Sequence, residues 1–174
     1  TEAEWEFAAR GGHEGWRFAW GDQENPDGKI MVNRWTGDFP YRNDSKDGFV
    51  GTSPTGSFSP NGYGLYDMGG NVWNWCSDLY RADTFAERAD ANAVCCDPKG
   101  PPSAVGEKPM PNDPSPPTVP GAERRVIKGG SFLCHPSYCE SYRPSARRGT
   151  SPDTGSSHVG FRCAIDAPSV SNPK

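Results

Sequence analysis

The sequence predicts an irregular α+β domain, with few helices, short strands and many ordered loops. Three observations carry that expectation. The 174 residues include 21 glycines and 18 prolines, and both types break helix interiors. Hydrophobic residues make up only 33% of the chain, and no apolar run reaches the roughly 20 residues that a membrane span needs. Six Trp, six Tyr and eight Phe nevertheless exceed what a disordered chain carries. One domain is expected at this length, covering residues 1–174 and held by aromatic clusters, turns and metals.

The elements follow in chain order. Thr1-Glu2-Ala3-Glu4 has the form of a capping box, in which Thr1 caps the helix and Glu4 reaches back. Trp5, Ala8 and Ala9 recur at helical spacing, and Gly11-Gly12 ends the run. A helix of roughly ten residues is expected here. Residues 13–62 scatter aromatics among Gly, Asp, Asn and Pro, which predicts packed loops with a few short strands. Val72-Trp73-Asn74-Trp75 reads as a strand after the Gly69-Gly70 turn. Residues 97–120 hold nine prolines, so 97–123 is expected to be a solvated, partly extended loop. Arg125 to Phe132 reads as strand then turn, and residues 158–166 as the last strand.

The net charge is −4, and no Lys/Arg block exceeds two residues. Nucleic-acid binding needs a concentrated basic surface, so no nucleic-acid partner is expected. Six cysteines are present: Cys76, Cys95, Cys96, Cys134, Cys139 and Cys163. Cys134 and Cys139 stand in a C-x4-C arrangement. Spacing alone leaves three readings for them. A disulfide ranks first, provided the loop turns back on itself. A zinc site would prefer C-x2-C and a second ligand pair. A pair of thiolates could instead hold a soft metal such as Cu(I).

Six stretches together resemble one known family: TEAEWEFAARGG, WGD, DGFVGTSPTGSFSPNGYGLYDMGGNVWNWCSDLY, DPKGPP, RRVIKGGSFLCHPSYCESYRPSARR and GFRCAID. The sequence is similar to the formylglycine-generating enzymes, also called sulfatase-modifying factors. GGSFLCHPSYC is the most specific of these stretches, because it matches both active-site cysteines of the catalytic branch. The resemblance implies the sulfatase-modifying-factor variant of the C-type-lectin-like fold, and that this chain is the C-terminal part of the catalytic domain. It further implies an oxidase that uses O2 to convert a cysteine to Cα-formylglycine. Its partner would be an unfolded sulfatase polypeptide bearing a Cys-x-Pro-x-Arg motif. Cu(I) would be held by Cys134 and Cys139, with the substrate cysteine as a third sulfur ligand. Ser131 matches a serine beside the copper pocket, and equally suits a turn after Gly129-Gly130. Trp73 matches a pocket tryptophan, and equally suits core packing. Tyr138 and His135 lie in the same matching stretch.

The resemblance also implies two structural Ca2+ sites. One would use Asn33, the Arg34 carbonyl, Asp47 and the Phe49 carbonyl. The other would use Asp67, the Gly70 and Val72 carbonyls, and Asn74, which stands where the family carries Glu. Oxygen-rich sets of this kind are what a hard cation needs; Asx turns are the plain alternative. Ala9 and Pro144 replace a disulfide pair of some relatives, which favours a bacterial, cytoplasmic protein over one of the endoplasmic reticulum lumen. Arg143, Arg147, Arg148 and Arg162 are expected in salt bridges. A monomer is expected, associated with the N-terminal part of the domain. The competing reading is a non-catalytic interaction module on the same fold, with Cys134–Cys139 as a structural disulfide.

Overall fold

In the computed structural model, the capping signal at the chain start produces helix α1 (Glu2–Arg10). The Thr1 side chain accepts a hydrogen bond from the Glu4 amide, and Gly11 closes the helix in the left-handed region at φ 59°. Asn61 donates from Nδ2 to the Ala8 carbonyl at 2.7 Å, so a distant loop satisfies an orphan carbonyl of the last turn. The structure describes residues 1–90, 100–104, 106–108, 110–115 and 122–165. Cys95 and Cys96 lie outside them.

Among the described residues six short strands follow: β1 (Gly37–Asp38), β2 (Arg42–Asn43), β3 (Trp73–Leu79), β4 (Arg125–Lys128), β5 (Arg148–Thr150) and β6 (Val159–Gly160). The first two form a small antiparallel ribbon, and the others a mixed sheet in the order β5-β4-β3-β6. β4 runs antiparallel to both β3 and β5, while β6 pairs parallel with β3. Successive strand residues point to opposite faces, and the two cores follow from that rule. Val126 packs with Trp5, Ala9, Met68, Cys76 and Tyr80. Its neighbour Ile127 packs with Phe18, Val32, Trp73, Cys134, Cys139 and Tyr142. The sheet therefore divides the helix side of the molecule from the cysteine side.

Several charged groups cross this interior in pairs. Lys128 is fully buried, and its Nζ lies 3.0 Å from Glu6 Oε2 and 5.6 Å above the Trp5 ring. Arg147 binds both Glu2 oxygens, at 2.7 and 2.9 Å. Its guanidinium lies over the rings of Tyr80 and Phe85. Arg143 pairs with Glu140 at 3.2 Å. The expected salt bridges are thus present for Arg143 and Arg147. Arg148 instead donates to the Pro114 carbonyl, and Arg162 to two carbonyls and an amide.

Two local expectations need correction, and the structure adds three features that the sequence did not signal. The last strand is only Val159–Gly160, since Phe161 and Ile165 face solvent at 76% and 96% exposure. Helix α2 (Thr84–Asp90) and strand β5 carry no periodic apolar signal and were not foreseen. Cys163 is exposed and free. The described part of 97–123 is not simply solvated. Glu107 accepts from the Ala82 amide and pairs with buried Arg124, and Asp113 accepts from the Tyr80 hydroxyl at 2.8 Å. Arg124 draws these carboxylates onto the end of β3 because a buried guanidinium is costly without a partner.

Candidate active site

The residues between β4 and β5 make a closed loop pinned at both ends by the antiparallel pairing of those strands. Gly129 and Gly130 open it at φ 89° and 69°, a region that side chains other than glycine's rarely enter. The reversal lets the Cys134 amide donate to the Ser131 carbonyl at 2.9 Å. One turn later the Tyr138 and Cys139 amides both donate to the His135 carbonyl, at 2.9 and 2.8 Å. These two turns bring Cys134 and Cys139 together, with their sulfurs 2.7 Å apart. Both thiols are buried and free.

The sulfurs sit at the wall of a cavity of about 640 Å3. Trp73, Ser131, Tyr138 and both cysteines line it, joined by Trp35, Phe39, Arg148 and His158. Ser131 is buried, and its Oγ accepts from the Leu133 amide at 3.3 Å, which leaves the hydroxyl proton to donate. Tyr138 is 62% exposed at the rim and stacks on Phe39 with ring centroids 5.0 Å apart. His135 does not line the cavity. Its Nδ1 is 2.7 Å from Ser137 Oγ and its ring stacks on Phe39, so it buttresses the loop from outside. Trp35, Phe39, Arg148 and His158 were missed because only tertiary closure brings them to the loop.

The two thiols differ in acidity. Their mutual contact, aided by hydrogen bonds at Ser141 and by the Arg148 guanidinium, pulls Cys139 down to about 6 against the opposing effect of burial. The same contact, together with burial, pushes Cys134 up. Cys76 goes up to about 12 through burial and the nearby charges of Glu2 and Asp78. A thiol with a lowered pKa gains thiolate as pH rises through that value, and an unperturbed cysteine does so near 8.5. Alkylation of Cys139 by a small reagent is therefore expected to reach half its plateau rate near pH 6, with Cys76 unlabelled in the native protein. Peptide mass mapping across pH 5–9 checks this, and a midpoint at roughly 8.5 or above would contradict it.

Among the described residues, no group of three or more His, Cys, Asp or Glu could hold a metal by itself. Two converging thiols do suit Cu(I), which favours soft sulfur donors, and they leave a side open for a further ligand. The first oxygen set also suits a cation. Asn33 Oδ1 is buried with no hydrogen-bond partner among the described residues. Its Nδ2 is committed to the Gly51 carbonyl at 2.8 Å. Asp47 accepts from the amide of the adjoining Arg34 at 2.9 Å and from that of Phe49 at 3.0 Å. An orphaned amide oxygen and a carboxylate tied to the next residue are the donor types that Ca2+ uses. The second set does not offer it: Asn74 Oδ1 already accepts from Trp5 Nε1 at 3.0 Å and from Arg162 Nε at 2.8 Å.

A loop-rich α+β sheet that closes an aromatic cavity on two thiols is the class that fold and site define. The family model described as a sulfatase-modifying factor enzyme 1-like domain matches residues 1–167, and the chain belongs to that family. It is 45% identical over 166 residues to a formylglycine-generating enzyme of Thermomonospora curvata, covering 95% of this chain and 48% of that protein. It is 47% identical over 167 residues to one of Mycobacterium tuberculosis, covering 95% of this chain and 50% of that protein. The chain thus spans about half the length of the curated relatives it matches. Among solved structures, PvdO from Pseudomonas aeruginosa superposes with a TM-score of 0.59 at 26% identity, over 92% of this chain and 49% of that one. Among the described residues no helix is long and apolar enough to cross a membrane.

Proposed function

We propose that this chain carries the reaction centre of a copper-dependent oxidase that converts a sulfatase cysteine to Cα-formylglycine. The single observation behind this reading is the pair of buried free thiols, 2.7 Å apart, at the wall of an aromatic-lined cavity. The names of the curated relatives support the product, and the family description supports a sulfatase as substrate. Cys134 and Cys139 would hold Cu(I), which supplies the site at which O2 is used to oxidise the substrate.

The chain's own residues account for the rest of the site's work. A thiol pair in which Cys139 is the acidic member binds a cation with the release of few protons near neutral pH. Arg148, which lowers Cys139, offsets the negative charge of the pair. Trp73 is buried and walls off water on the sheet side. Ser131 aims a hydroxyl proton from the same turn. Tyr138 and Phe39 form a stacked aromatic rim, over which an extended peptide can lie before its cysteine enters. Such a rim favours an unfolded segment, because a folded surface cannot reach a buried sulfur pair.

The remaining oxygen chemistry is structural. Ca2+ at Asn33, Arg34, Asp47 and Phe49 would join the two segments that flank the β1–β2 ribbon. A reducing bacterial cytoplasm is the proposed location, consistent with Ala9 and Pro144 at positions where some relatives carry a disulfide. The test is direct. The complete protein, incubated with a Cys-x-Pro-x-Arg peptide, Cu(I), O2 and a thiol reductant, is expected to yield a peptide with an aldehyde in place of the thiol. Hydrazide capture and mass measurement detect it. Absence of the aldehyde from a copper-loaded, folded protein would overturn the reading.

A further inference from the structure

We propose that the oxygen cluster around Asp67 and Asn74 holds no Ca2+ in this protein, and that the Arg162 guanidinium is its resident cation. The proposal goes beyond the catalytic reading and does not depend on it. Of the oxygens that would face a metal, Asn74 Oδ1, the Val72 carbonyl and Asp67 Oδ2 are already in use. Arg162 Nε donates to Asn74 Oδ1 at 2.8 Å, and one terminal nitrogen donates to the Asp67 carbonyl at 2.7 Å and to the Tyr66 carbonyl. Asp67 sits at φ 55°, a left-handed turn residue, and the carbonyls of residues 66 and 67 converge on the same guanidinium nitrogen.

Asn74 fixes the choice of cation. Its Oδ1 lone pairs are filled by Trp5 Nε1 at 3.0 Å and by Arg162. Its Nδ2 donates to the Val72 carbonyl at 3.2 Å. The amide thus presents N–H, not oxygen, to one of the carbonyls that calcium would need. Turning the amide round would break all three contacts. A carboxylate here could serve guanidinium and metal at once, because it has about four acceptor sites, whereas an amide oxygen has two. The one carboxylate of the cluster, Asp67, spends Oδ2 on the Gly56 amide at 2.9 Å. It also lies close enough to Arg162 to favour its charged form, against the larger desolvating effect of burial.

The clamp so formed ties three distant segments together: helix α1 through Trp5, strand β3 through Asn74, and the chain beyond β6 through Arg162. It does in a metal-free way what the Asn33–Asp47 set would do with an ion. Calcium content measured on the complete protein, by mass spectrometry after exchange into calcium-replete buffer, tests the idea alongside thermal unfolding. One calcium per chain is expected, unchanged in Asp67→Asn and lost in Asp47→Asn. Arg162→Gln is expected to lower Tm by roughly 2–4 °C, the shift produced by about 1 kcal/mol in a chain of this size, equally in chelator and in millimolar calcium. Two calcium ions per chain, or one lost specifically in Asp67→Asn, would overturn the proposal. So would an unchanged Tm in Arg162→Gln. Should Asp67→Asn fail to fold, the wild-type stoichiometry still decides. A calcium-free wild type would sink the Asn33–Asp47 assignment and leave the Arg162 cluster as described.

Discussion

Replacing Cys134 or Cys139 with serine is expected to abolish tight Cu(I) binding and, with it, aldehyde formation. A hydroxyl is a hard, weakly acidic donor and does not substitute for a soft thiolate. Loss of a supporting contact outside the ligand set typically lowers metal affinity or activity about 10–100-fold, so loss of a ligand should exceed that range. Competition against a chromophoric Cu(I) chelator measures the first effect, and product mass the second. Both variants should fold, because serine is smaller than cysteine and Ser131 already shows the turn tolerating a hydroxyl. Cys76→Ser provides the contrast. It places a hydroxyl among Trp5, Met68, Tyr80 and Val126, so it should cost stability while leaving copper affinity intact. Cys163 is exposed, and its replacement should change neither. Unchanged copper affinity in either Cys134→Ser or Cys139→Ser would sink the two-thiolate site.

A large loss of stability from a single added methyl group is expected at Gly130, the glycine that sets the cysteine turn. Its φ of 69° is left-handed, and a Cβ there would lie 2.8 Å from the Tyr142 amide nitrogen and 3.1 Å from the Cys134 sulfur. Neither neighbour can yield, since Tyr142 is fully buried and Cys134 nearly so. The backbone term for alanine is about 1–2 kcal/mol, and forced overpacking adds about 1–3 kcal/mol. At roughly 2–4 °C per kcal/mol, Gly130→Ala should lower Tm by on the order of 10 °C. Whatever copper binding survives should weaken, because relief of the clash must move a sulfur. Gly155 is the control: it has no neighbour within 4 Å of a built Cβ and no positive φ, so alanine there should stay within about 0.5 kcal/mol. A Gly130→Ala protein as stable as the Gly155→Ala one would refute this account of the turn.

Helix α1 was legible because its signals are local: the Thr1–Glu4 box and the Gly11 stop act within a few residues. Strand β3 was legible from the dense apolar run after Gly69-Gly70. β5 was not, because Arg148-Gly149-Thr150 has no alternation and becomes a strand only when Val126 and Ile127 pair with it. The opposite error arose at 158–166, where apolar residues recur but no partner strand extends beyond Gly160. The candidate site divides the same way. GGSFLCHPSYC folds back through its own turns, so the convergence of Cys134 and Cys139 could be read from one stretch. Trp35, Arg148 and His158 reach the cavity from three separate segments, and sequence spacing carries no record of that.

The loop between β4 and β5 has a consequence for how the protein is assembled. Its two ends are neighbours only after Val126 meets Gly149 and Ile127 meets Arg148. Until that pairing is made, the backbone reversal at Gly129-Gly130 has nothing to hold it, and the sulfurs are merely two side chains on a wandering segment. The entropy of closing the segment is therefore spent in zipping the sheet, not in capturing an ion. Any ligand that requires both sulfurs in register then acts on the folding equilibrium as a whole, adding about 2.7 kcal/mol to native-state stability at a free concentration 100 times its Kd. Slow amide exchange across β3 and β4 and tight retention of the ion become two readings of one cooperative event.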